Sequence, residues 1–339
     1  MTGLGWSVPA SQAEPTRQEL EARGAVRPGI AWLREGDRVV IPLRQRPEPP
    51  PASGQLVERE FPAPAHDPPR SYRELLRGLS TEQLAALPRA FDVIGDVVLV
   101  RLPPELAPVA SEVGAALLEF VPAARIVGAD EGVRGPERRR SLRRLAGSGS
   151  WATVHRENGL RLDVDLERAY FSPRLAREHE LVAAAVRPHE NVLDLCCGIG
   201  PFALLIAHQG RAASVTAVDQ NPDAIELLQR NLSHLRPGCP VESRVSEAGA
   251  FLLESPSFDR AILNHPTGGA PLLPAVGRCV RPGGSLHYYE LMERTNATEL
   301  MAQRTAELGP GWVLRESREV HPYSAQLEIR CLTISRSPG

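Results

Sequence analysis

The stretch Val192-Leu-Asp-Leu-Cys-Cys-Gly-Ile-Gly-Pro-Phe202, followed by Ser214-Val-Thr-Ala-Val-Asp-Gln-Asn-Pro222, decides the fold. Its first part reads as a buried strand that runs into a glycine turn. Gly198 and Gly200 carry no Cβ, so backbone there can come close to a ligand. Pro201–His208 then reads as a helix whose N-terminus faces the same spot. The second strand ends at Asp219, about 20 residues past the turn, where a carboxylate can accept hydrogen bonds from both ribose hydroxyls. Together these segments form the nucleoside-binding half of a doubly wound α/β fold.

The glycine pattern and the charge select among nucleosides. A dinucleotide fingerprint is G-x-G-x-x-G, whereas Gly198-Ile-Gly-Pro-Phe-Ala203 has two glycines and follows acidic Asp194. A carboxylate there repels a pyrophosphate but can hold a cationic amino-acid end. S-adenosylmethionine carries an ammonium, a sulfonium and no phosphate, and it is the expected cofactor. The plain alternative is an ordinary strand–turn–helix of a parallel sheet. Aspartates at two consecutive strand ends weaken it.

A chain of 339 residues is long enough for two or three domains. The formal net charge of −2 gives no global attraction to nucleic acid, so any such binding rests on local patches. All 39 basic residues are Arg, which reads as genome composition rather than function. The five cysteines, Cys196, Cys197, Cys239, Cys279 and Cys331, show no C-x-x-C spacing. Reduced thiols, a cytoplasmic location and no metal site are expected. No signal pattern or membrane-length apolar run is present in the sequence.

In chain order, residues 1–45 read as a small module. It has a polar helix over Ser11–Arg23 with Ser11 as a cap candidate, ended by Gly24, and a strand over Arg38–Leu43 entered through Glu35-Gly-Asp37. Residues 46–69, with Arg46-Pro-Glu-Pro-Pro-Pro51, Pro62-Ala-Pro64 and Pro68-Pro69, read as a stiff linker. Residues 70–150 form a middle α+β module. Helices are expected at Ser71–Gly78, at Thr81–Leu87 with Thr81 as N-cap, and at Pro104–Glu119. A hairpin turns at Gly95-Asp96, and Ala124–Val127 is a further strand. Residues 151–339 alternate strands and helices after a hairpin that turns at Glu157-Asn-Gly159. The fold class is α/β, a Rossmann-like, mostly parallel sheet with an antiparallel edge, preceded by two small α+β domains. No internal repeats are present.

A ligand on such a sheet sits at the carboxyl ends of the strands, where Asp194, Asp219, Glu247 and Asn264 fall. A carboxylate at Ser246-Glu247 can take the adenine amino group. Asn264-His-Pro266 is a short polar loop, and an asparagine there can donate and accept at once, which suits the edge of a nucleobase. A plain strand-ending turn is the bland reading of that loop. His265 is read as incidental, and Cys197 as a packing residue rather than a nucleophile. Arg134-Gly-Pro-Glu-Arg-Arg-Arg-Ser-Leu-Arg-Arg144 holds six arginines in eleven residues. A charge run is often a solvated face, but beside a nucleoside domain phosphate contact is the better reading.

Asp194-Leu-Cys-Cys-Gly-Ile-Gly-Pro-Phe202, Val218-Asp-Gln-Asn-Pro222, Asn264-x-Pro266 and His287-Tyr-Tyr289 together resemble the archaeal/eukaryotic-type tRNA guanine-37 N1-methyltransferases. Phe91-Asp-Val-Ile-Gly-Asp96, Val154-His-Arg-Glu-Asn-Gly159 and Tyr170-Phe-Ser-Pro-Arg174 extend the likeness upstream. The wybutosine-pathway aminocarboxypropyl transferases are relatives. The resemblance implies a monomeric class I S-adenosylmethionine-dependent methyltransferase whose N-terminal module touches the tRNA body. Its other two modules would hold the anticodon loop.

Carried over by position, Glu178 is the general base, Arg138 steadies the reacting guanine, Asn264 holds it, and Tyr170 lies beside the methionine end of the cofactor. The implied cofactor set adds His179, Asp194, Cys197, Gly198, Gly200, Phe202, Asp219, Gln220, Asn221, Ser246, Glu247 and Pro266. Arg134, Arg139, Arg140, Arg143, Arg144 and Arg174 are the implied RNA contacts. The chain departs from the family at His179, where an arginine is usual, at Cys196-Cys197 for Phe-Ala, at Glu247 for Asp, and at His265. Aminocarboxypropyl transfer, methylation of a wybutosine-type intermediate, and a non-catalytic RNA-binding role remain as alternatives.

Overall fold

The computed structural model describes residues 2–27, 30–62, 69–254 and 257–339. They fall into two units, residues 1–75 and 76–339. The first is built on β1 (Thr2–Pro9), followed by α1 (Ala13–Ala22), β2 (Leu33–Glu35), β3 (Arg38–Pro42) and β4 (Gln55–Glu60). The sheet order is β2-β3-β1-β4, and Trp6, Val8, Leu20 and Ile41 fill its core.

Two expectations change here. Ser11 lies in a single 3₁₀ turn ahead of α1, and the cap position is Gln12, with no side-chain cap bond. The linker expected at 46–69 contains β4, which pairs antiparallel with β1 from Thr2↔Glu60 to Ser7↔Gln55. Leu56 and Val57 supply the apolar contacts that draw this stretch into the sheet. The flanking prolines hid that short strand. Pro64 and Pro68 lie outside the described residues.

The second unit opens with α2 (Thr81–Ala86), β5 (Asp92–Ile94), β6 (Val97–Val100), α3 (Ala110–Phe120), β7 (Ile126–Arg134) and β8 (Arg139–Gly147). The strands form a sheet of order β5-β6-β7-β8. The cap of α2 is Ser80, not Thr81. Ser80 Oγ accepts from the Gln83 N–H while the Gln83 side chain accepts from the Ser80 N–H. The helix expected over Ser71–Gly78 is only a 3₁₀ turn, Tyr72–Leu75, and Pro104–Val109 is likewise 3₁₀ before α3 begins. The arginine run, read without secondary structure, forms the β7–β8 turn and the start of β8.

The hairpin β9 (Ala152–Glu157) and β10 (Leu160–Asp165) and the helix α4 (Ala176–Ala185) lead into the main sheet. It comprises β11 (Asn191–Leu195), α5 (Pro201–Gln209), β12 (Ser214–Asp219), α6 (Pro222–Ser233), β13 (Val241–Val245) and α7 (Ala248–Glu254). Then follow β14 (Phe258–Asn264), α8 (Leu273–Cys279), β15 (Val280–Glu293), α9 (Ala297–Glu307), β16 (Trp312–Pro322) and β17 (Leu327–Arg336). The strand order is β13-β12-β11-β14-β15-β17-β16. Five strands are parallel, and β17 and β16 close the edge antiparallel, as the alternation of elements predicts.

β11 lies inside the sheet, between β12 and β14, and is apolar on both faces; Val192, Leu193 and Leu195 have no exposure. α5 is buried nearly all round, as a helix covered on several sides must be.

The turn from β11 to α5 is left-handed at Cys196 (φ 64°), Gly198 (φ 57°) and Gly200 (φ 83°). Gly200 is required by packing rather than by ligand approach, which corrects the sequence reading. A Cβ there would lie 2.6 Å from Leu228 Cδ1 on α6. Gly200→Ala combines backbone strain with overpacking and should cost about 2–4 kcal/mol. Denaturant unfolding of the variant against wild type checks this.

Candidate active site

The carboxyl ends of β11, β12, β13 and β14 open into one cavity of about 700 Å³, a size suited to a cofactor and part of a substrate. Its floor is the glycine turn. Asp219 pins that turn: Oδ2 accepts from the Gly198 N–H at 2.7 Å and Oδ1 from the Asn221 N–H at 2.9 Å. From beneath, Asp194 Oδ2 accepts from the Ala203 N–H at 3.1 Å, while its Oδ1 is buried with no partner among the described residues. Asp194 is therefore under the floor, not on the wall, because the helix N-terminus of α5 claims it.

Burial raises the Asp194 carboxyl to about 7; the Ala203 N–H pulls it down and Asp219 pushes it up. Burial also raises Asp219 against its two backbone bonds. The thiol of Cys196 is pushed up to about 12, by burial first and then by the nearby carboxylates, and that of Cys197 is raised for the same reasons. Both are poor thiolates, which agrees with a packing role.

Glu247 lies on the wall and also caps α7, a helix absent from the sequence reading. Its Oε2 accepts from the Ala250 N–H at 2.7 Å. Backbone N–H groups of Gly249 and Ala250 hold its carboxyl below the usual range. Ser246, Gln220, Asn221, Phe202, Cys197, Gly198 and Pro266 line the cavity. Gly200 does not. Asn221 caps α6 through the Asp223 N–H and also donates to Arg168 O.

His179 lines the cavity at 1% exposure. Its Nδ1 lies 2.7 Å from Glu157 Oε1, its ring stands edge-on to Phe202, and its Nε2 is buried without a partner among the described residues. Burial opposes the Glu157 charge, but the hydrogen bonds from His155 and His179 prevail and bring it to about 2.

The opposite wall joins the β7–β8 turn to the β14 loop. Arg138, with φ at 53°, donates from Nη1 to Thr267 Oγ1 at 2.8 Å. Gln220 donates to the Pro136 carbonyl. Tyr170 sits against two guanidinium groups, Arg140 at 4.5 Å and Arg138 at 5.8 Å from its ring centroid. Asn264 and His265 complete the wall. Burial and the Arg138 charge lower the His265 pKa, so its imidazole is neutral, and its Nδ1 is buried without a partner among the described residues.

Glu178 is 4% exposed and lies behind the wall rather than on it. Arg318 of β16 grips it, with Nε 2.9 Å from Oε1 and Nη2 2.8 Å from Oε2, and Tyr289 Oη donates to Oε2 at 2.9 Å. The sequence reading missed Arg318. It lies 140 residues from Glu178 in an unremarkable strand, and no local pattern marks it.

Most arginines of the run have partners within the molecule, but only Arg140 is buried. Arg140 is buried, paired with Asp130 and bonded to Phe171 O, so it cannot meet a phosphate; the RNA contact expected of it is withdrawn. Arg139 bridges Glu137 and Asp223, Arg143 pairs with Glu131, and Arg174 with Asp92. Arg144 donates to Gly149 O and lies over Trp151. Arg139 remains half-buried, and Arg143, Arg144, Arg174 and Arg134 are exposed. Among the described residues no group of His, Cys, Asp or Glu is placed to hold a metal ion, and no helix is long and apolar enough to cross a membrane.

Removing Arg318 strands the buried Glu178 charge. Arg318→Met should destabilise by about 2–4 kcal/mol, and adding Glu178→Gln should recover much of that, because the pair rather than either member is needed. A double-mutant cycle in denaturant measures both.

Known proteins resemble this chain in sequence and in fold. A family profile described as the TRM5/TYW2 methyltransferase domain matches residues 153–308, and one described as the TYW2 N-terminal domain matches 72–150. The chain is 35% identical over 294 residues to the tRNA (guanine(37)-N(1))-methyltransferase Trm5b of Pyrococcus abyssi, covering 84% of this chain and 83% of that protein. The crystal structure of that Trm5b superposes with a TM-score of 0.77 at 30% identity, covering 99% of both chains. The complex of aTrm5 with tRNALeu gives 0.79 at 25% identity, covering 98% of this chain and 100% of that one. A tRNA(Phe) (4-demethylwyosine(37)-C(7)) aminocarboxypropyltransferase of Pyrococcus horikoshii is 29% identical over 65% of this chain and 78% of its own length. With this sheet order, this glycine turn and these relatives, the chain belongs to the TRM5/TYW2 methyltransferase family.

Proposed function

We propose that the chain is an S-adenosylmethionine-dependent tRNA (guanine-37-N1)-methyltransferase. The observation that carries this reading is a single cavity with two chemically distinct walls. Carboxylates at the ends of β12 and β13 face an arginine and an asparagine from the β7–β8 turn and β14. The acidic side suits a cationic nucleoside. Gly198 leaves backbone uncrowded there, since a Cβ would meet only Tyr170 O, at 3.6 Å. Asp219 would take the ribose, Glu247 and Ser246 the adenine, and Tyr170 and His179 the methionine end. S-adenosylmethionine, when bound, supplies an electrophilic methyl carbon on a sulfonium.

The other wall handles the base. Guanine N1 is a poor nucleophile until its proton leaves. Glu178, held by Arg318 and Tyr289, is the base: it takes the proton once Arg318 cedes one oxygen. As N1–H breaks, charge grows on O6, where Arg138, steadied by Thr267 and Tyr170, meets it with a charge-assisted bond. The freed N1 pair would make the new N–C bond as the S–CH3 bond of the sulfonium breaks, its electron pair staying on sulfur to leave a neutral thioether. Asn264 holds the base edge by donating and accepting. The guanine must leave its stack to enter.

This reading takes the chain as a monomer that meets tRNA in the cytoplasm, with residues 1–45 touching the tRNA body and the middle module the anticodon loop. Exposed Arg134 contacts phosphate directly. Arg139, Arg143, Arg144 and Arg174 exchange their surface partners for phosphates.

Unmodified tRNA incubated with S-adenosylmethionine labelled separately in the methyl and carboxyl carbons tests the proposal. Methyl label should appear in N1-methylguanosine at position 37, and Glu178→Gln should slow transfer by about 10²–10⁴-fold. Carboxyl label in tRNA would replace this reading with aminocarboxypropyl transfer. Neither label in tRNA would refute both.

A further inference from the structure

The cavity does not end at Asn264. It continues beyond β14 over the antiparallel edge of the sheet, where Leu291 of β15 and Ile329 of β17 form its wall. At this end stands Tyr323, on the tip of the β16–β17 hairpin. The tip is pinned: the Tyr323 and Ser324 N–H groups both donate to Leu327 O at 2.9 Å, and Ser324 Oγ accepts from the Leu327 N–H at 3.0 Å. The ring nevertheless remains 49% exposed. A rigid hairpin thus presents a large flat aromatic to solvent.

Arg101, from the segment after β6, reaches across the cavity mouth to this ring. Its guanidinium carbon lies 5.7 Å from the Tyr323 centroid, and its Nη1 is 3.5 Å from Tyr323 Oη. Its nearest carboxylate, Asp130, stands 3.8 Å away and is already gripped by Arg140. Neither side chain is consumed by the core, and the two come from different modules.

We infer that Tyr323 and Arg101 form a stacking platform for an unpaired nucleobase adjacent to the one that enters the cavity. The inference rests on the proposed action on tRNA. When a base swings out of a strand its neighbour loses a stacking partner, and an aromatic face at the mouth replaces it. Every base offers a π-face, so the contact tolerates sequence. The guanidinium adds a cation to the stack without needing a specific edge. Leu291 and Ile329 line the same cavity as Tyr323 and add apolar surface to it.

The test uses full-length protein, S-adenosylmethionine, and tRNA transcripts with guanine at position 37. One transcript is intact, one is abasic immediately before the guanine, and one is abasic immediately after it. Tyr323→Ala should weaken binding of the intact RNA about ten-fold and Tyr323→Phe less than about two-fold, with cofactor affinity unchanged in both. On one of the two abasic transcripts the Tyr323→Ala penalty should vanish, because the stacked base is already gone. Equal Tyr323→Ala penalties on all three RNAs, no penalty on any, or a matching loss of cofactor affinity would each overturn the platform. RNA binding with the expected coupling but without methylation would refute the proposed reaction and leave the platform standing.

Discussion

The structure depends on a left-handed turn held between a buried carboxylate, Asp194, and a half-buried one, Asp219. Asp194 takes an N–H from the first turn of α5, and Asp219 takes N–H groups from Gly198 and Asn221. The turn can be neither a helix nor a strand, since Cys196, Gly198 and Gly200 all have positive φ. Holding it places two acids at adjacent strand ends, where Asp219 disfavours the Asp194 charge and Glu137 disfavours that of Asp219. Burial raises both carboxyls and both neighbouring thiols. A site in that condition is short of positive charge. A bound cation would relieve the penalty and an anion would deepen it. The preference for a sulfonium nucleoside over a pyrophosphate thus follows from how the turn is built.

The second constraint is the crossing from the middle module onto this sheet. Gln220 to Pro136, Arg138 to Thr267 and Arg139 to Asp223 tie the β7–β8 turn to three places around the cavity. Arg168 shares Asp223 and continues the chain of pairs to Glu226. The arginine-rich turn is therefore a wall before it is an RNA surface. Its buried member, Arg140, fixes Asp130 and the Tyr170 ring. This is how a chain with a net charge of −2 places a cation, Arg138, on the cavity wall.

Much of this was legible in the sequence where the signal was local. The apolar run of β11, the glycines and the acids at strand ends gave the fold and the cofactor side. The reading failed where a residue's meaning depends on a distant partner. Gly200 looked like a ligand-facing glycine, but Leu228 explains it. Arg140 looked like an RNA contact, yet Asp130 lies across the hairpin. Glu178 was singled out by resemblance alone, while Arg318 and Tyr289, which hold it by hydrogen bonds, come from strands at the far edge. β4 was hidden because prolines on both sides dominate its composition, and Ser80 lost to Thr81 because adjacent hydroxyls compete for one cap.

Calorimetric titration of the full chain with S-adenosylmethionine and, separately, with an oxidised nicotinamide dinucleotide tests the central claim most directly. The account predicts binding of S-adenosylmethionine, its loss in Asp219→Leu, and no binding of the dinucleotide. Dinucleotide binding, or S-adenosylmethionine bound equally well by Asp219→Leu, would contradict it.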